Sequence, residues 1–238
     1  MAKIDGATTE ALPIAPSMAP TLEAADLPGR STLVDRRVVF ICGLSIALAA
    51  AAGAIAQILM RLIALFTNLF FYGRFSAAAV SPAGNHLGIA VVAVPVVGGV
   101  LVGIMARYGS RAIRGHGIPE AMEQVLTNES RIPARVTFLK PLSAALSIGS
   151  GGPFGAEGPI IATGGALGSL IGQWVRTTAQ ERKTLLAAGA AAGMTATFGT
   201  PVAAVLLAIE LLLFEYRARS LVPVAFACVT AQAMRWAT

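Results

Sequence analysis

Residues 149–159 read Gly149-Ser150-Gly151-Gly152-Pro153-Phe154-Gly155-Ala156-Glu157-Gly158-Pro159, with apolar sequence on both sides. Five glycines and two prolines surround one carboxylate, and such a stretch does not continue a helix. Proline removes an N–H and crowds the preceding turn, while glycines favour dihedrals that other residues avoid. Irregular backbone inside a membrane is tolerated only where protein buries it or it lines a cavity. Successive glycine N–H groups are also able to form an anion-binding nest. Pro159 suits the first turn of a helix, where a missing N–H costs nothing. The N-terminus of that helix, with free N–H groups and the positive end of its dipole, would face the nest. An intramembrane carboxylate costs about 2.5–3.5 kcal/mol on insertion scales, which makes Glu157 a functional candidate. The plainer alternative is that Glu157 only caps its helix start.

Composition supports the membrane. Of 238 residues, 55% are hydrophobic and 13% charged, with mean hydropathy +0.72. A soluble domain carries about 25% charged residues, so most of this surface does not face water. Gly and Ala are abundant and aromatics few; small residues let membrane helices approach where lipid gives no hydrophobic drive to associate. The net charge of +6 would suit nucleic acid, but the Lys and Arg sit between apolar runs, where orientation charges belong. No nucleic-acid partner is expected. Cys42 and Cys228 lie in apolar runs without metal-ligand spacing and imply no disulfide framework. The two histidines, His86 and His116, form neither HExxH nor a convincing Ser–His pairing, so no enzyme, metal or organic cofactor is expected.

Residues 1–35 place Pro13, Pro16, Pro20 and Pro28 among acidic and small residues, with no apolar signal region. A disordered cytosolic tail is expected there, and a transmembrane domain over 36–238. Arg36 and Arg37 abut an apolar run over 38–71. As one helix that run is about 50 Å long, against a hydrocarbon core of about 30 Å. It must tilt steeply, or its end near 61–71 must emerge. A loop over 72–85, with Pro82 and Gly84 as breakers, precedes a second run over 86–105 and then Arg107, Arg111 and Arg114. The basic bias puts the N-terminus and 107–114 on the same, cytosolic side, and the loop between the spans holds only Arg74. Beyond this the apolar segments shorten, to 119–126, 133–148, 159–174, 184–197, 202–214 and 221–234. Short segments interrupted by Gly and Pro point to a transporter-like fold whose half-helices meet near the midplane.

Gly115-His116-Gly117-Ile118-Pro119-Glu120 follows the same logic as 149–159: flexible glycines, then a proline-led helix. It reads as an anion site or as an ordinary loop before a helix. A third stretch is Phe198-Gly199-Thr200-Pro201-Val202-Ala203. In this order and separation the three resemble the CLC family of chloride channels and proton–chloride exchangers, whose pattern is GSGIP, then G(K/R)EGP, then a helix-opening F-x-x-P. The resemblance runs from about residue 36 to the C-terminus. It implies an all-α, multi-span membrane fold with broken helices, this chain matching the first of two inverted repeats. It implies homodimers with one anion pathway per subunit, lying between the repeats. Carried over by motif, Gly115, His116 and Gly117 would line the inner pathway. Gly155 and Ala156 would offer backbone N–H groups to an outer anion site. Glu157 matches the family's gating glutamate, a carboxylate that competes with chloride for the same donors.

Departures from the pattern carry expectations of their own. His116 stands where the family usually has a serine hydroxyl. A neutral imidazole still donates one N–H, and a protonated one would bind tighter and make affinity pH-sensitive; otherwise its side chain points away and only its backbone matters. Ala156 replaces the usual Lys or Arg and weakens the positive field at the outer mouth. Glu210 is followed by Leu211, where exchangers often carry a second acid, so channel-like or uncoupled passage is expected ahead of proton-coupled exchange. Glu210 and Glu215 then read as helix-end charges near Arg217 and Arg219. The chain stops where the first repeat would end. The expectation is a pathway for chloride or a similar small anion, gated by Glu157 and incomplete without a second repeat. A homodimer or a complementary second-repeat chain would be its partner. The alternative is a non-conducting fragment or subunit that associates with a full-length relative. A transporter using Glu157 to bind a cation is disfavoured, because helix N-termini favour anions.

Overall fold

Helix α1 (Arg36–Tyr72) is one unbroken helix of 37 residues. At 1.5 Å per residue it is about 55 Å long. The computed structural model of the chain describes residues 35–109 and 117–237. The expected tail over 1–35 lies outside these except for Asp35, as do Gly115 and His116. On α1 the residues Ser45, Leu48, Ala49, Ala52, Gly53 and Ala56 recur at helical spacing and are buried. Val39, Phe40, Ile46 and Ile58 are apolar yet exposed. A helix apolar all round belongs in a protein core or a bilayer, and with so many of its apolar side chains exposed α1 fits the bilayer. Its far end is tied by Asn68, which is fully buried and donates to the Ala64 and Ala78 carbonyls at 2.9 Å. Asn68 also accepts from Arg74 at 2.8 Å, and this holds the following loop folded.

Two short 3-10 turns, Pro82–Gly84 and Gly88–Val92, lead into α2 (Ala93–Tyr108). Then come α3 (Ile118–Thr127), α4 (Ala134–Gly149), α5 (Glu157–Trp174), α6 (Ala179–Phe198), α7 (Pro201–Ala208, closed by a π turn Ile209–Leu213) and α8 (Ala218–Ala237). Every element among the described residues is helical. Proline stands in the first turn of α3, α5 and α7, as Pro119, Pro159 and Pro201. A capping box starts α6: Glu181 N–H donates to the Thr178 hydroxyl at 3.2 Å, and Thr178 N–H to the Glu181 carboxylate at 2.9 Å. Gly199, at φ +68°, ends α6.

The core is the crossing of α5 and α6. A Cβ on Gly164 would lie 2.2 Å from the Gly189 carbonyl oxygen, and one on Gly168 would lie 2.1 Å from that of Leu185. Backbone therefore meets backbone, the contact that small residues permit in lipid. Around this crossing the helix ends sort into groups. Arg37 binds Glu181 at 2.6 Å, joining the starts of α1 and α6. Arg182 donates to the Glu129 carbonyl at 2.8 Å, bringing the end of α3 there. Glu215 accepts from Ser220 at 2.7 Å and from Gln180, adding the start of α8. At the other end of α6, Arg235 of α8 donates to the Ala196 carbonyl at 3.1 Å and to that of Thr197.

Candidate functional site

Gly117 sits at φ +90°, and a Cβ built on it would lie 2.1 Å from the Gly158 carbonyl oxygen. The two glycine-rich motifs, far apart in sequence, thus meet backbone to backbone. Gly117 is the residue just before α3, and Glu157 and Gly158 open α5. Two helix N-termini, each the positive end of a helix dipole, converge there. In the first turn of α5 the N–H groups of Glu157 and Gly158 precede any intrahelical acceptor. The Ile160 N–H is the first to find one, the Ala156 carbonyl at 3.0 Å. No side chain caps α5, and the Glu157 side chain is exposed.

The upstream glycines do something other than form a continuous nest. The N–H groups of Ser150, Gly151 and Gly152 donate to Leu146, Ile148 and Ser147, each at 3.0 Å, and that of Phe154 to Gly152 at 2.8 Å. Residues 149–154 are thus a tight termination of α4, with their donors already engaged. The candidate anion donors narrow to the segment 155–158.

Beside that segment lies a cavity of about 670 Å³. One wall is α2, through Gly99, Val102, Gly103 and Ala106; another is α4, through Lys140, Ser143, Ala144, Ser147 and Ile148. Phe154, Gly155, Glu157, Gly158 and Pro159 complete the lining. The walls come close because Gly98 leaves no room for a side chain: a Cβ there would lie 1.9 Å from the Ser150 hydroxyl. Lys140, only 3% exposed, is the residue that motif reading passed over. Lys140 and Glu157 therefore line one cavity beside two helix starts. The available signal was a lone lysine inside the apolar segment 133–148, next to Pro141.

The other predicted positions fall as follows. Gly117, Gly155 and Glu157 come together, with Ala156 half-buried between the last two. Gly115 and His116 lie outside the described residues. The Phe198–Pro201 stretch builds the α6–α7 turn beneath Arg235, whose Nε would lie 3.1 Å from a Cβ on Gly199. Glu210 is exposed in the π turn that closes α7, and Glu215 pairs with Arg217 at 3.5 Å.

Residues 98–238 match the family model described as voltage gated chloride channel. The chain is similar to the H(+)/Cl(-) exchange transporter ClcA of Salmonella arizonae, with 36% identity over 129 residues, covering 50% of this chain and 27% of that protein. It is similar to the chloride channel protein CLC-f of Arabidopsis thaliana, with 31% identity over 140 residues, covering 56% of this chain and 17% of that protein. A solved CLC-type fluoride/proton antiporter has the same fold, with a TM-score of 0.68 and 24% identity over 87% of this chain and 48% of that one. The chain spans less than half the length of each of these relatives.

Proposed function

The chain belongs to the voltage gated chloride channel family and is an integral membrane protein, and on that premise we propose that it forms part of a transmembrane chloride pathway gated by Glu157. The observation that carries this reading is the meeting of Gly117 with Gly158, which sets two helix starts beside Glu157 and the cavity holding Lys140. The N–H groups at 155–158 are donors that a chloride ion and the Glu157 carboxylate would contest. Ionised, the carboxylate occupies them; protonated, it releases them. Gly115 to Gly117 would line the inner part of the route, and Lys140 would stand in the cavity wall beside it. A second repeat, from a partner chain or otherwise, would supply the facing half. Glu210 followed by Leu211 supports channel-like passage. Similarity to an exchange transporter supports a second reading, proton-coupled exchange.

Chloride efflux from liposomes tests both, with the chain reconstituted alone and beside a full-length relative. Efflux is expected to rise as pH falls. Glu157→Gln is expected to release chloride without that rise. Retention of the full pH dependence in Glu157→Gln would overturn the gate. Uphill proton movement driven by a chloride gradient would select the exchange reading. Absence of chloride release by the chain alone, with altered release when it joins a relative, would make it a non-conducting subunit.

A further inference from the structure

Helix α3 runs beside α5 in the same direction and is fastened to it at both ends. At the starts, Gly117 meets the Gly158 carbonyl. At the far end, the loop after α3 meets Ser169, about three turns along α5 from Gly158. Ser169 is fully buried. Its hydroxyl donates to the Ser130 carbonyl at 2.6 Å and accepts from the Ile132 N–H at 2.9 Å and from Gln173 at 3.1 Å. A hydroxyl has one proton to give and two lone pairs, so all three positions are filled. Gln173 also donates to the Ile132 carbonyl at 3.1 Å, and from α6 Arg182 donates to the Glu129 carbonyl at 2.8 Å.

These contacts hold a loop that would not keep its shape unaided. Glu129 and Ser130 are consecutive non-glycine residues in the left-handed region, at φ 47° and 60°. Such backbone persists only where its surroundings over-determine it. Ser130 and Ile132 are 2% and 6% exposed, so loss of the Ser169 hydroxyl takes a partner from a buried carbonyl and a buried N–H, which the loop must move to replace. Along α3 itself the grip is weaker: Ala121 is buried, while Ile118, Met122 and Val125 are partly covered. Apolar contact has no direction and permits sliding, whereas hydrogen bonds fix position.

We propose that Ser169 is a positioning residue: with Gln173 and Arg182 it sets the register of α3 on α5, and so the spacing of the two helix starts at Gly117 and Gly158. The ten residues of α3 separate this latch from the junction, and a helix carries a shift at one end to the other. The consequence for chloride rests on the reading of that junction as an anion site; the register does not.

Hydrogen exchange read by mass spectrometry and chloride titration calorimetry test this on the purified full chain in detergent, for the parent, Ser169→Ala and Thr195→Val. Thr195 is equally buried and its hydroxyl donates within α6, to the Ala191 carbonyl at 2.9 Å, so Thr195→Val removes a buried hydroxyl away from the latch. In Ser169→Ala, exchange is expected to quicken at the start of α3, over 117–122, as well as in the loop over 128–132, and chloride affinity is expected to fall several-fold. Thr195→Val is expected to match the parent at 117–122 and in affinity. Faster exchange confined to the loop, or an equal change at 117–122 in Thr195→Val, would overturn the register role. Unchanged affinity in a chain that binds chloride would overturn the latch as a determinant of the site. Faster exchange at 117–122 in a chain that binds no chloride would uphold the register and overturn the anion reading instead. If Ser169→Ala fails to fold, Gln173→Ala decides, since Gln173 is exposed and gives up a single side chain of the latch. It is expected to quicken the same amides by less, and unchanged exchange there would overturn the proposal.

Discussion

Gly117 combines a left-handed backbone with direct contact to Gly158, and both features forbid a side chain. A non-glycine residue held in that conformation costs about 1–3 kcal/mol, before the displaced Gly158 backbone is counted. Gly117→Ala is therefore expected to lower the unfolding temperature in detergent and to weaken chloride binding measured by titration calorimetry. An unchanged affinity would mean that the junction of α3 and α5 does not shape the anion site. Lys140 makes a separate prediction. Replacing it with Met removes a polar side chain from the cavity wall, and chloride release is expected to fall; unchanged release would mean that Lys140 does not act on the pathway. Glu157 was conspicuous in the sequence as a candidate because a carboxylate amid glycines is rare in an apolar chain, with a helix cap as the plainer reading. Lys140 was not, since a lone lysine in an apolar segment reads as a flanking charge until α2 is known to face it. The glycines at 149–152 misled in the other direction: their N–H groups end α4 rather than await a ligand.

At the scale of elements, the crossing of α5 and α6 makes a contrast within one helix. Gly168 has a backbone oxygen 2.1 Å from where its Cβ would stand, while Gly165 has only ordinary contacts, the nearest at 3.5 Å. Gly168→Val is expected to destabilise by about 1–3 kcal/mol, the usual scale of overpacking. Gly165→Ala is expected to be neutral or to stabilise by up to about 1 kcal/mol through helix propensity. Thermal unfolding of the two variants in detergent checks the contrast, and equal effects would show that the helices are less close than the structure has them. Helix boundaries were legible because Pro119, Pro159 and Pro201 announce their starts. The Gly164, Gly168 and Gly172 spacing was also present in the sequence, but a stripe of small residues does not say which helix fills it. Glu181, ahead of the apolar stretch of α6, offers a pH test. The hydrogen bond from Arg37 holds its carboxyl below the usual carboxylate range, against the opposing effect of burial. A depressed folded pKa stabilises above the unfolded pKa, and that stability is lost as pH falls through the folded value. Glu181→Gln is thus expected to cost up to about 1 kcal/mol near neutrality, the limit for a partly exposed pair, and nothing in strong acid.

For the whole molecule, orientation follows from where the helix ends gather. Arg37, Arg182, Arg217 and Arg219 stand where α1, α6 and α8 begin, and Lys183 stands with them. The buried hydrogen bond from the Ile132 N–H to Ser169, at 2.9 Å, brings the start of α4 to the last turns of α5, and so Arg131, Arg135 and Arg176 to the same end. Since Gly98 packs on Ser150 while Ala106 and Lys140 line one cavity, α2 runs antiparallel to α4 and delivers Arg107 there as well. The loop after α1, at the other end of that helix, carries Arg74 alone. Lys and Arg near span ends set orientation, while Asp and Glu contribute little. The basic end is therefore expected to face the cytosol, together with the N-terminus. Two single-cysteine probes check this in sealed vesicles of known sidedness. Ala79→Cys, in the loop after α1, is expected to react with a membrane-impermeant thiol reagent from the outside. Ala218→Cys, among the arginines, is expected to react only once the vesicles are opened. Cys228 is buried and Cys42 lies within α1, so neither competes for a reagent confined to water. The reverse labelling would invert the molecule in the membrane, placing the basic helix ends on the outer side and turning the Glu157 cavity about with them.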